Sequence, residues 1–302
     1  MDKLNWINEM QLCGRLETGT LMKELTTMRV GGAADCVVYA KNIEDIKKVV
    51  RGCAENGVPL TVVGRGSNLI VRDGGLRGVV LQLGKDFGSI AVEENRITAQ
   101  AGATLGALSR AALDNGLEGL EFAEGIPGSV GGGVYMNAGA YGGEMAQVLT
   151  KVCVLQKDGT VAEMSKEELD MRYRHTKLME LGCVVLEAEF ELKQGNKGEI
   201  AARMADFAQR RREKQPIQYP SSGSFFKRPE GYFAGKLIQD AGLKGATIGG
   251  AQISELHAGF MINIGNATAG DILNLMEKVQ NEVMAQFGVQ LEPEVRIIGE
   301  EA

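Results

Sequence analysis

The alternation of apolar and polar positions near the start of the chain predicts two short strands with a helix between them. Residues 36–40 (CVVYA) and 60–63 (LTVV) are rich in β-branched side chains, which is typical of buried strands. Residues 43–56 place apolar side chains at helical spacing, and Asn42 is a suitable N-cap. We therefore predict a strand–helix–strand unit of the βαβ type. Further strands are expected at 79–83, 90–92 and 96–99.

Helix and hairpin signals continue through the middle of the chain. Residues 104–115 have helical spacing, and 157–159 (Lys-Asp-Gly) is a turn between predicted strands at 152–156 and 160–164. Residues 165–168 (SKEE) have the spacing of a capping box, which predicts a helix start.

The composition of the sequence changes near residue 210. A strand at 184–192 and a charged helix at 196–214 are followed by Pro216 and a stretch rich in Gly, Ser and Pro up to 223. Such composition indicates a domain boundary. Beyond it we predict a helix near 232–240, a strand at 260–264, a helix at 269–287 and a strand at 295–298.

Composition narrows the functional classes. The chain has 302 residues, a formal net charge of −6 and five scattered cysteines without a CxxC motif. These features argue against nucleic acid as a partner, against a zinc site and against a disulfide framework. No apolar run has the length of a membrane span and no secretory signal is evident, so we expect a cytoplasmic protein that contains no metal and binds no membrane.

The chain contains 41 glycines, and two glycine-rich loops lie at the ends of predicted strands. The first loop, GRGSNL, lacks the third glycine of the Rossmann fingerprint and precedes no helical pattern, so that interpretation fails. Its backbone N–H groups suit a pyrophosphate, although a glycine-rich hairpin turn would have the same composition. The candidate cofactor-binding residues in this loop are Gly64, Arg65, Gly66, Ser67, Asn68 and Leu69.

The second loop begins at residue 125 and leads into a short helix, a form that favours anionic groups. Two such loops about 60 residues apart suggest one extended ligand such as a flavin dinucleotide, and a purely structural loop is the alternative. The segments GRGSNLIV and GIPGSVGGG of these loops contain no His or Cys to which a flavin could be attached covalently. The candidates here are Gly125, Ile126, Pro127, Gly128, Ser129, Gly132, Asn137, Gly139 and Ala140.

The stretch 221–229 (SSGSFFKRP) places Ser224 between a glycine and two phenylalanines, with two cations behind them. Taken alone, it is consistent with a Gly-Ser turn before a strand. With only His175 and His257 in the chain and no G-x-S-x-G turn, a serine hydrolase is not supported.

Six motifs in order resemble one enzyme family. They are TMRVGGA at 27–33, GRGSNLIV, GIPGSVGGGVYMNAGAYGGE, YRH at 173–175, GSFFKRP and LEPEVR at 291–296. Together, over about residues 20–299, they resemble the UDP-N-acetylenolpyruvoylglucosamine reductases, in the shorter subtype without a tyrosine-lid insertion. The resemblance implies an α+β fold with a two-part FAD-binding region of the vanillyl-alcohol-oxidase (PCMH) type and a smaller α/β substrate-binding domain. The implied domains are 1–80, 81–210 (rejoined by 289–302) and 211–288.

The resemblance also implies a reaction. NADPH reduces a non-covalent FAD, and UDP-N-acetylglucosamine enolpyruvate then receives a hydride at C3 and a proton at C2. The product would be UDP-N-acetylmuramate, a peptidoglycan precursor used in cell-wall biogenesis. NADPH and the nucleotide sugar are the expected small-molecule partners.

The family's functional residues can be placed on matching positions. Ser224 corresponds to the proton donor, and Arg174 and Glu294 correspond to the groups that act on the carboxylate and the developing enolate. A structural ion pair for Arg174 and a surface position for Glu294 remain the alternatives. Candidates for the diphosphate, carboxylate and other polar groups of the substrate are Lys214, Lys227, Arg228, His257 and Arg296.

Two departures and two rival functions remain open. The segment 175–186 is too short for the tyrosine lid, and Arg228 stands where some relatives have Asn. A flavin oxidase or dehydrogenase of the same superfamily, acting on an alcohol, is one rival. A non-catalytic flavin or nucleotide-sugar sensor is the other, although it would not need Ser224, Arg174 and Glu294 together.

Overall fold

The structure is a computed structural model that describes residues 4–302. Its contacts divide the chain into two compact units, each built from three segments. Unit 1 contains residues 4–18, Cys36–Arg65 and Gly78–Gln209, and unit 2 contains Gly19–Asp35, Gly66–Arg77 and Arg210–Ala302. The helices are α1 Asn5–Asn8, α2 Ile43–Asn56, α3 Leu105–Asp114, α4 Val130–Tyr135, α5 Leu178–Leu181, α6 Lys197–Lys214, α7 Ala234–Asp240 and α8 Ala269–Phe287.

Most strands are short. In chain order they are β1 Arg15–Thr18, β2 Ala34–Tyr39, β3 Leu60–Val63, β4 Leu69–Val71, β5 Leu76–Gln82, β6 Ile90–Glu93, β7 Arg96–Gln100, β8 Leu117–Glu118, β9 Gly139–Ala140, β10 Gly143–Glu144, β11 Leu149–Leu155, β12 Val161–Ser165, β13 Val184–Glu191, β14 Lys193–Gln194, β15 Ser221–Ser224, β16 Thr247–Ile248, β17 Ala251–Ile253, β18 Phe260–Asn263 and β19 Arg296–Ile298.

The helix α2 begins and ends as the sequence predicts. The Asn42 side chain accepts a hydrogen bond from the Asp45 amide, and Gly57 ends the helix in the left-handed conformation. The predicted βαβ unit is only partly right, however. In the first sheet of unit 1 the order is β1-β2-β5-β3, so β5 lies between β2 and β3 and pairs in parallel with β3.

The second sheet of unit 1 has the order β12-β11-β13-β7-β6, and its four strand pairings are all antiparallel. The hairpin between β11 and β12 turns at Gly159, whose φ is +86°, as the sequence predicts. The capping box also forms, because the Ser165 amide donates to the Glu168 carboxylate at 2.7 Å and the Glu168 amide donates to the Ser165 hydroxyl at 3.4 Å. Large buried side chains, including Phe87, Phe122 and Phe190, fill the core next to these sheets.

Unit 2 contains a four-stranded antiparallel sheet, β15-β18-β17-β16, and its helix α8 contacts β16, β17 and α7. The helix α8 has the predicted bounds, because Thr268 and Asp271 form a capping box and Gly288 ends it in the left-handed conformation. The phenylalanines Phe225 and Phe226 are buried in the core of this unit with Ile272 and Leu275. The strands β15 and β17 were not predicted.

The last strand, β19, pairs in parallel with β4. This pairing joins residues 296–298 to residues 69–71, and both segments belong to unit 2. The expectation that residues 289–302 rejoin 81–210 stays a prediction. The predicted division at residues 80 and 210 into three domains stays a prediction. Among residues 4–302, no helix is long and apolar enough to cross a membrane, and no group of three His, Cys, Asp or Glu side chains could hold a metal ion.

Candidate active site

In unit 1 the two glycine loops approach each other closely. A Cβ added to Gly64 would lie 2.2 Å from the Ser129 hydroxyl oxygen, so a side chain at this position would force Ser129 to move. The Gln82 side chain also donates to the Gly64 carbonyl over 3.3 Å, which fixes the first loop where β3 ends. Glycine at position 64 thus allows the backbone of the first loop to approach Ser129 of the second loop closely.

The rest of the first loop, from Gly66 onward, belongs to unit 2. Gly66 has a φ of +61° and its carbonyl accepts from the Thr27 amide at 3.2 Å. The Asn68 side chain donates to the Glu294 carbonyl at 3.2 Å, and the Asn68 carbonyl accepts from the Arg296 amide at 3.0 Å. The end of the loop is thus hydrogen-bonded to the segment that carries Glu294.

The second loop forms a backbone cradle. Ser129 caps α4 by accepting from the Gly132 amide, and Gly131 and Gly133 pack on Ala101 and Leu105. Gly132 itself is exposed, and a Cβ there would meet nothing closer than 3.4 Å. This arrangement fits FAD, because it offers accessible backbone without a bulky side chain. Gly125, with a φ of +75°, precedes the cradle, and Gly139 and Ala140 form β9 beyond it.

Asn137 has a structural task that the sequence did not reveal. Its side chain is fully buried, donates to the Arg172 carbonyl at 3.1 Å and accepts from the Ala146 amide at 2.9 Å. The Asn137 carbonyl in turn accepts from the Arg174 guanidinium at 3.4 Å. Its side-chain amide is thus committed to protein contacts that hold the Arg174 turn.

Arg174 lies at the tip of a two-residue turn in unit 1. Arg172 and His175 exchange backbone hydrogen bonds of 3.0 and 3.1 Å, which leaves Tyr173 and Arg174 at the tip. The φ of Arg174 is +53°, and its guanidinium donates to the Gly139 carbonyl at 3.5 Å and lies 5.0 Å from the centre of the Tyr173 ring. Non-glycine residues held in this conformation are uncommon and cluster at functional sites.

Ser224 lies at the end of β15 in unit 2, and its burial differs from that of its neighbours. The register of β15 against β18 shifts between Ser221 and Ser224, and Gly223 adopts a φ of +78° at this bulge. Phe225 and Phe226 are buried and pack edge to face with ring centres 5.3 Å apart, while Ser224 is exposed. The phenylalanines anchor the strand, and the bulge leaves the hydroxyl accessible.

Glu294 is brought next to Ser224 by backbone hydrogen bonds. The Glu294 amide donates to the Phe225 carbonyl at 2.8 Å, and the Lys227 amide donates to the Glu292 carbonyl at 2.9 Å. An isolated bridge between Phe226 and Pro293 completes this ladder. Two candidates that are 70 positions apart in sequence therefore lie on adjacent backbone segments of unit 2. Nothing in the sequence pattern predicts this pairing.

His257 lies at the same end of the sheet as Ser224. Ser224 pairs with Phe260, and the His257 ring packs edge-on against the Phe260 ring with centres 5.0 Å apart. Burial, with a smaller effect from the positive charge of Lys244, lowers the pKa of His257. Its Nδ1 accepts from the Gly259 amide at 3.1 Å, so the neutral ring carries its proton on Nε2.

The candidate cations differ in their surroundings. Lys227 forms an ion pair with Glu292 at 3.1 Å, and the Arg228 guanidinium lies 4.0 Å from the centre of the Phe233 ring. Lys214, at the end of α6, and Arg296, in β19, are exposed. Unit 2 therefore gathers Ser224, Glu294, His257 and these cations, whereas Arg174 belongs to unit 1.

Comparison with known proteins identifies the chain's relatives. A family model described as "UDP-N-acetylenolpyruvoylglucosamine reductase, C-terminal domain" matches residues 215–298, and one described as "FAD binding domain" matches residues 34–165. The UDP-N-acetylenolpyruvoylglucosamine reductase of Clostridium botulinum (strain Hall) is 54% identical over 280 residues, which are 93% of this chain and 91% of the relative. That of Pediococcus pentosaceus is 50% identical over 280 residues, 93% of each chain.

A solved structure agrees with these matches. The crystal structure of the reductase from Thermus caldophilus has a TM-score of 0.82 at 37% identity and covers 94% of this chain and 99% of its own. The predicted α+β fold, with an FAD-binding domain and a smaller second domain, is confirmed, and FAD is the cofactor of this oxidoreductase. The PCMH type of the FAD-binding region stays a prediction. With this identity over nearly its full length, the chain belongs to the UDP-N-acetylenolpyruvoylglucosamine reductase family.

Proposed function

We propose that this enzyme uses NADPH to reduce the enolpyruvyl ether of UDP-N-acetylglucosamine to UDP-N-acetylmuramate in the cytoplasm, as a step of peptidoglycan precursor synthesis. Family membership supports the reaction class. The observation that supports the residue assignment is the 2.8 Å hydrogen bond from the Glu294 amide to the Phe225 carbonyl, which sets Glu294 beside Ser224.

The glycine loops are the proposed FAD site. Backbone N–H groups of residues 64–69 and of the loop 125–132 would hold the pyrophosphate and neighbouring polar groups, because anions bind well to runs of accessible amides. When bound, FAD supplies the hydride chemistry by carrying two electrons from NADPH to the substrate. Gly64 and Ser129 lie close together, which brings the two loops side by side in unit 1.

Arg174 is proposed to bind the enolpyruvyl carboxylate. Addition of a hydride next to a carboxylate develops enolate charge, which a fixed cation stabilises without reorganising during the reaction. The turn described above supports this role, since it holds the guanidinium with hydrogen bonds to the Asn137 and Gly139 carbonyls. Glu294 is proposed to act on the same developing charge as a hydrogen-bonding acid.

Ser224 is proposed to deliver the proton to C2. A free serine is a very weak acid, so the proton transfer requires nearby positive charge or a relay to solvent. The exposure of Ser224 is consistent with a relay, and Lys227 and Arg228 follow it within four positions. The bulge at Gly223 supports the role because it turns the hydroxyl out of the core.

The substrate's diphosphate is proposed to bind the cations of unit 2. Lys214, Lys227, Arg228 and Arg296 are the candidates, and an anionic substrate would replace Glu292 as the partner of Lys227. His257 would bind as a neutral donor through Nε2–H, because its lowered pKa keeps the ring uncharged near neutral pH.

Two anaerobic additions test the function. NADPH should bleach the flavin absorbance of the purified holoenzyme, and UDP-N-acetylglucosamine enolpyruvate should restore it with formation of a product two mass units heavier. UDP-N-acetylglucosamine, which lacks the enolpyruvyl group, is the matched control and should leave the flavin reduced. Reoxidation by a simple ketone or aldehyde instead would favour the alcohol-dehydrogenase alternative, and no reduction by NADPH would favour a sensor.

A further inference from the structure

Unit 2 contains a cavity at the end of its sheet opposite Ser224. The cavity has a volume of about 590 Å³ and is lined in part by Asn263, Gly265 and Ala267. Ser224 pairs with Phe260 at the start of β18, whereas Asn263 is the last residue of that strand. Three strand residues span about 10 Å. Within unit 2, the cavity is therefore separate from the end of the sheet that carries Ser224.

The same separation is visible along β4. Asn68, which supports Glu294, precedes this strand, and Asp73, which lines the cavity, follows it. The cavity and the Glu294 segment thus lie at opposite ends of the β4–β19 pair. No residue proposed to bind FAD or substrate is among those that line the cavity.

The cavity carries an excess of positive charge. Lys23 and Arg29 line it, both are exposed, and neither side chain has an ion pair or hydrogen bond within the described part of the chain. The carboxylate of Asp73 accepts hydrogen bonds of 2.8 Å from the Ala269 and Gly270 amides, so it is already paired with backbone donors. Two unpaired cations around one cavity, in a protein with a net charge of −6, favour an anionic ligand.

The backbone around the cavity is held in unusual conformations. Arg29 has a φ of +58° and Asn266 a φ of +52°. The turn that carries Arg29 is fixed by a hydrogen bond from the Thr26 hydroxyl to the Val30 carbonyl at 3.0 Å and by one from the Asn263 side chain to the Met28 carbonyl at 3.1 Å. Conformations of this kind are kept where the surrounding structure requires them, and they often mark a ligand site.

We infer that this cavity binds a small organic phosphate, with Lys23 and Arg29 on its phosphoryl group. A guanidinium and an ammonium that line one cavity match a group that bears two negative charges, and arginine binds phosphate oxygens in a bidentate manner. The volume lies in the range of about 300–1,000 Å³ that is typical of small-molecule sites and exceeds the need of inorganic phosphate. The half-exposed ring of Tyr219 offers a face for an organic ring.

Methyl NMR on the FAD-loaded enzyme tests the location, with inorganic pyrophosphate as the first probe. Saturable shifts are expected at the Val30 and Ile264 methyls, which line the cavity, and should exceed those at Ala258, near Ser224. In the double variant Lys23→Gln/Arg29→Gln, binding at the cavity should weaken by about tenfold or more, since two charge-assisted contacts are lost. The control Lys193→Gln/Lys278→Gln removes two exposed charges elsewhere and should leave binding unchanged.

A second probe, adenosine 5′-monophosphate, tests the organic part of the ligand. It should shift the same cavity methyls, and Tyr219→Leu should weaken its binding while leaving that of pyrophosphate unchanged. Unchanged melting temperature and flavin absorbance establish that each variant is folded. Pyrophosphate shifts that persist in the double variant, or shifts confined to Ala258, would overturn the proposed site. Equal binding of the nucleotide to the wild type and to Tyr219→Leu would overturn the inference that the ligand carries an organic ring.

Discussion

Arg174 in unit 1 and Ser224 in unit 2 are presented by different means. Arg174 lies at a turn tip with a φ of +53°, whereas Ser224 ends a strand and is exposed through a bulge at a glycine. The first arrangement places a non-glycine residue in an unfavourable conformation, while the second transfers the unusual φ to Gly223. We conclude that unit 1 presents the Arg174 guanidinium from a turn with a strained backbone. Unit 2 presents the Ser224 hydroxyl from a strand end at which glycine adopts the unusual φ without strain.

The largest effect is expected for Ser224→Ala. A correctly placed general acid contributes about 10²–10⁴-fold to rate, so reoxidation of the reduced flavin by substrate should slow by about this factor. Reduction by NADPH and the melting temperature should change little, because Ser224 is exposed and carries no strain. Stopped-flow absorbance measures both half-reactions.

The variant Ser224→Cys tests whether the rate lost in Ser224→Ala is due to the missing proton donor. It keeps an ionisable hydrogen at this position and should recover part of the rate. Normal reoxidation in Ser224→Ala would mean that the serine only forms the Gly-Ser turn.

Arg174→Ala and Glu294→Gln should give the next largest effect. Removal of one preorganised electrostatic contact costs about 10²–10³ in rate, and this loss should fall on the substrate half-reaction alone. Arg110→Ala, which removes a more exposed arginine of unit 1, is the matched control. If both variants reoxidise at the wild-type rate, Arg174 and Glu294 have structural roles only.

Gly64→Ala tests the close approach of the two glycine loops. The new methyl would overlap the Ser129 hydroxyl, and overpacking of this kind typically costs about 1–3 kcal/mol. FAD affinity and melting temperature should both fall. In the double variant with Ser129→Ala part of the loss should return, because the nearest remaining side-chain atom, the Cβ of residue 129, lies 3.3 Å away. A loss that the second substitution does not reduce would contradict direct contact between the loops.

Arg174→Gly isolates the strain from the charge. Relative to Arg174→Ala, glycine should stabilise the protein by about 1 kcal/mol, since it adopts positive φ without steric cost. Both variants should be equally slow with substrate. Thermal unfolding of the two holoenzymes measures the difference, and equal melting temperatures would argue that the turn relaxes in the variants.

The smallest effect concerns pH. Because burial lowers the pKa of His257, the unfolded state binds a proton more readily than the folded state, and stability contributed by the neutral ring is present above its ordinary pKa of about 6.5. This contribution should be lost as the pH falls below that value toward the lowered pKa. His257→Gln should flatten the stability profile between pH 7 and 5, measured by urea unfolding.

The sequence predicted those elements whose ends are specified locally. The helices α2 and α8 have the predicted bounds because side-chain caps begin them and left-handed glycines end them. The strands β15 and β17 were missed because they have three or four residues and depend on pairing with β18 for their extended form. Such pairing is not encoded in a local pattern.

The site was predicted less completely than the family. Motifs single out Ser224, Arg174 and Glu294 as candidates, but the ladder from Phe225 to Glu294 and the positive φ of Arg174 depend on tertiary contacts. The buried side chain of Asn137 shows what a motif does not predict. Its hydrogen bonds to the Arg172 carbonyl and the Ala146 amide depend on the folded structure.

The order of segments in unit 2 also governs when it can form during synthesis. The strand β4 leaves the ribosome early, yet its partner strand β19 follows more than two hundred residues later, as the hydrogen bond between Asn68 and Glu294 across 226 positions also indicates. Unit 1 obtains its longest segment, Gly78–Gln209, well before that point. Translation thus completes the scaffold of Arg174 first, and the pairing that positions Glu294 closes only when the last strand has been made.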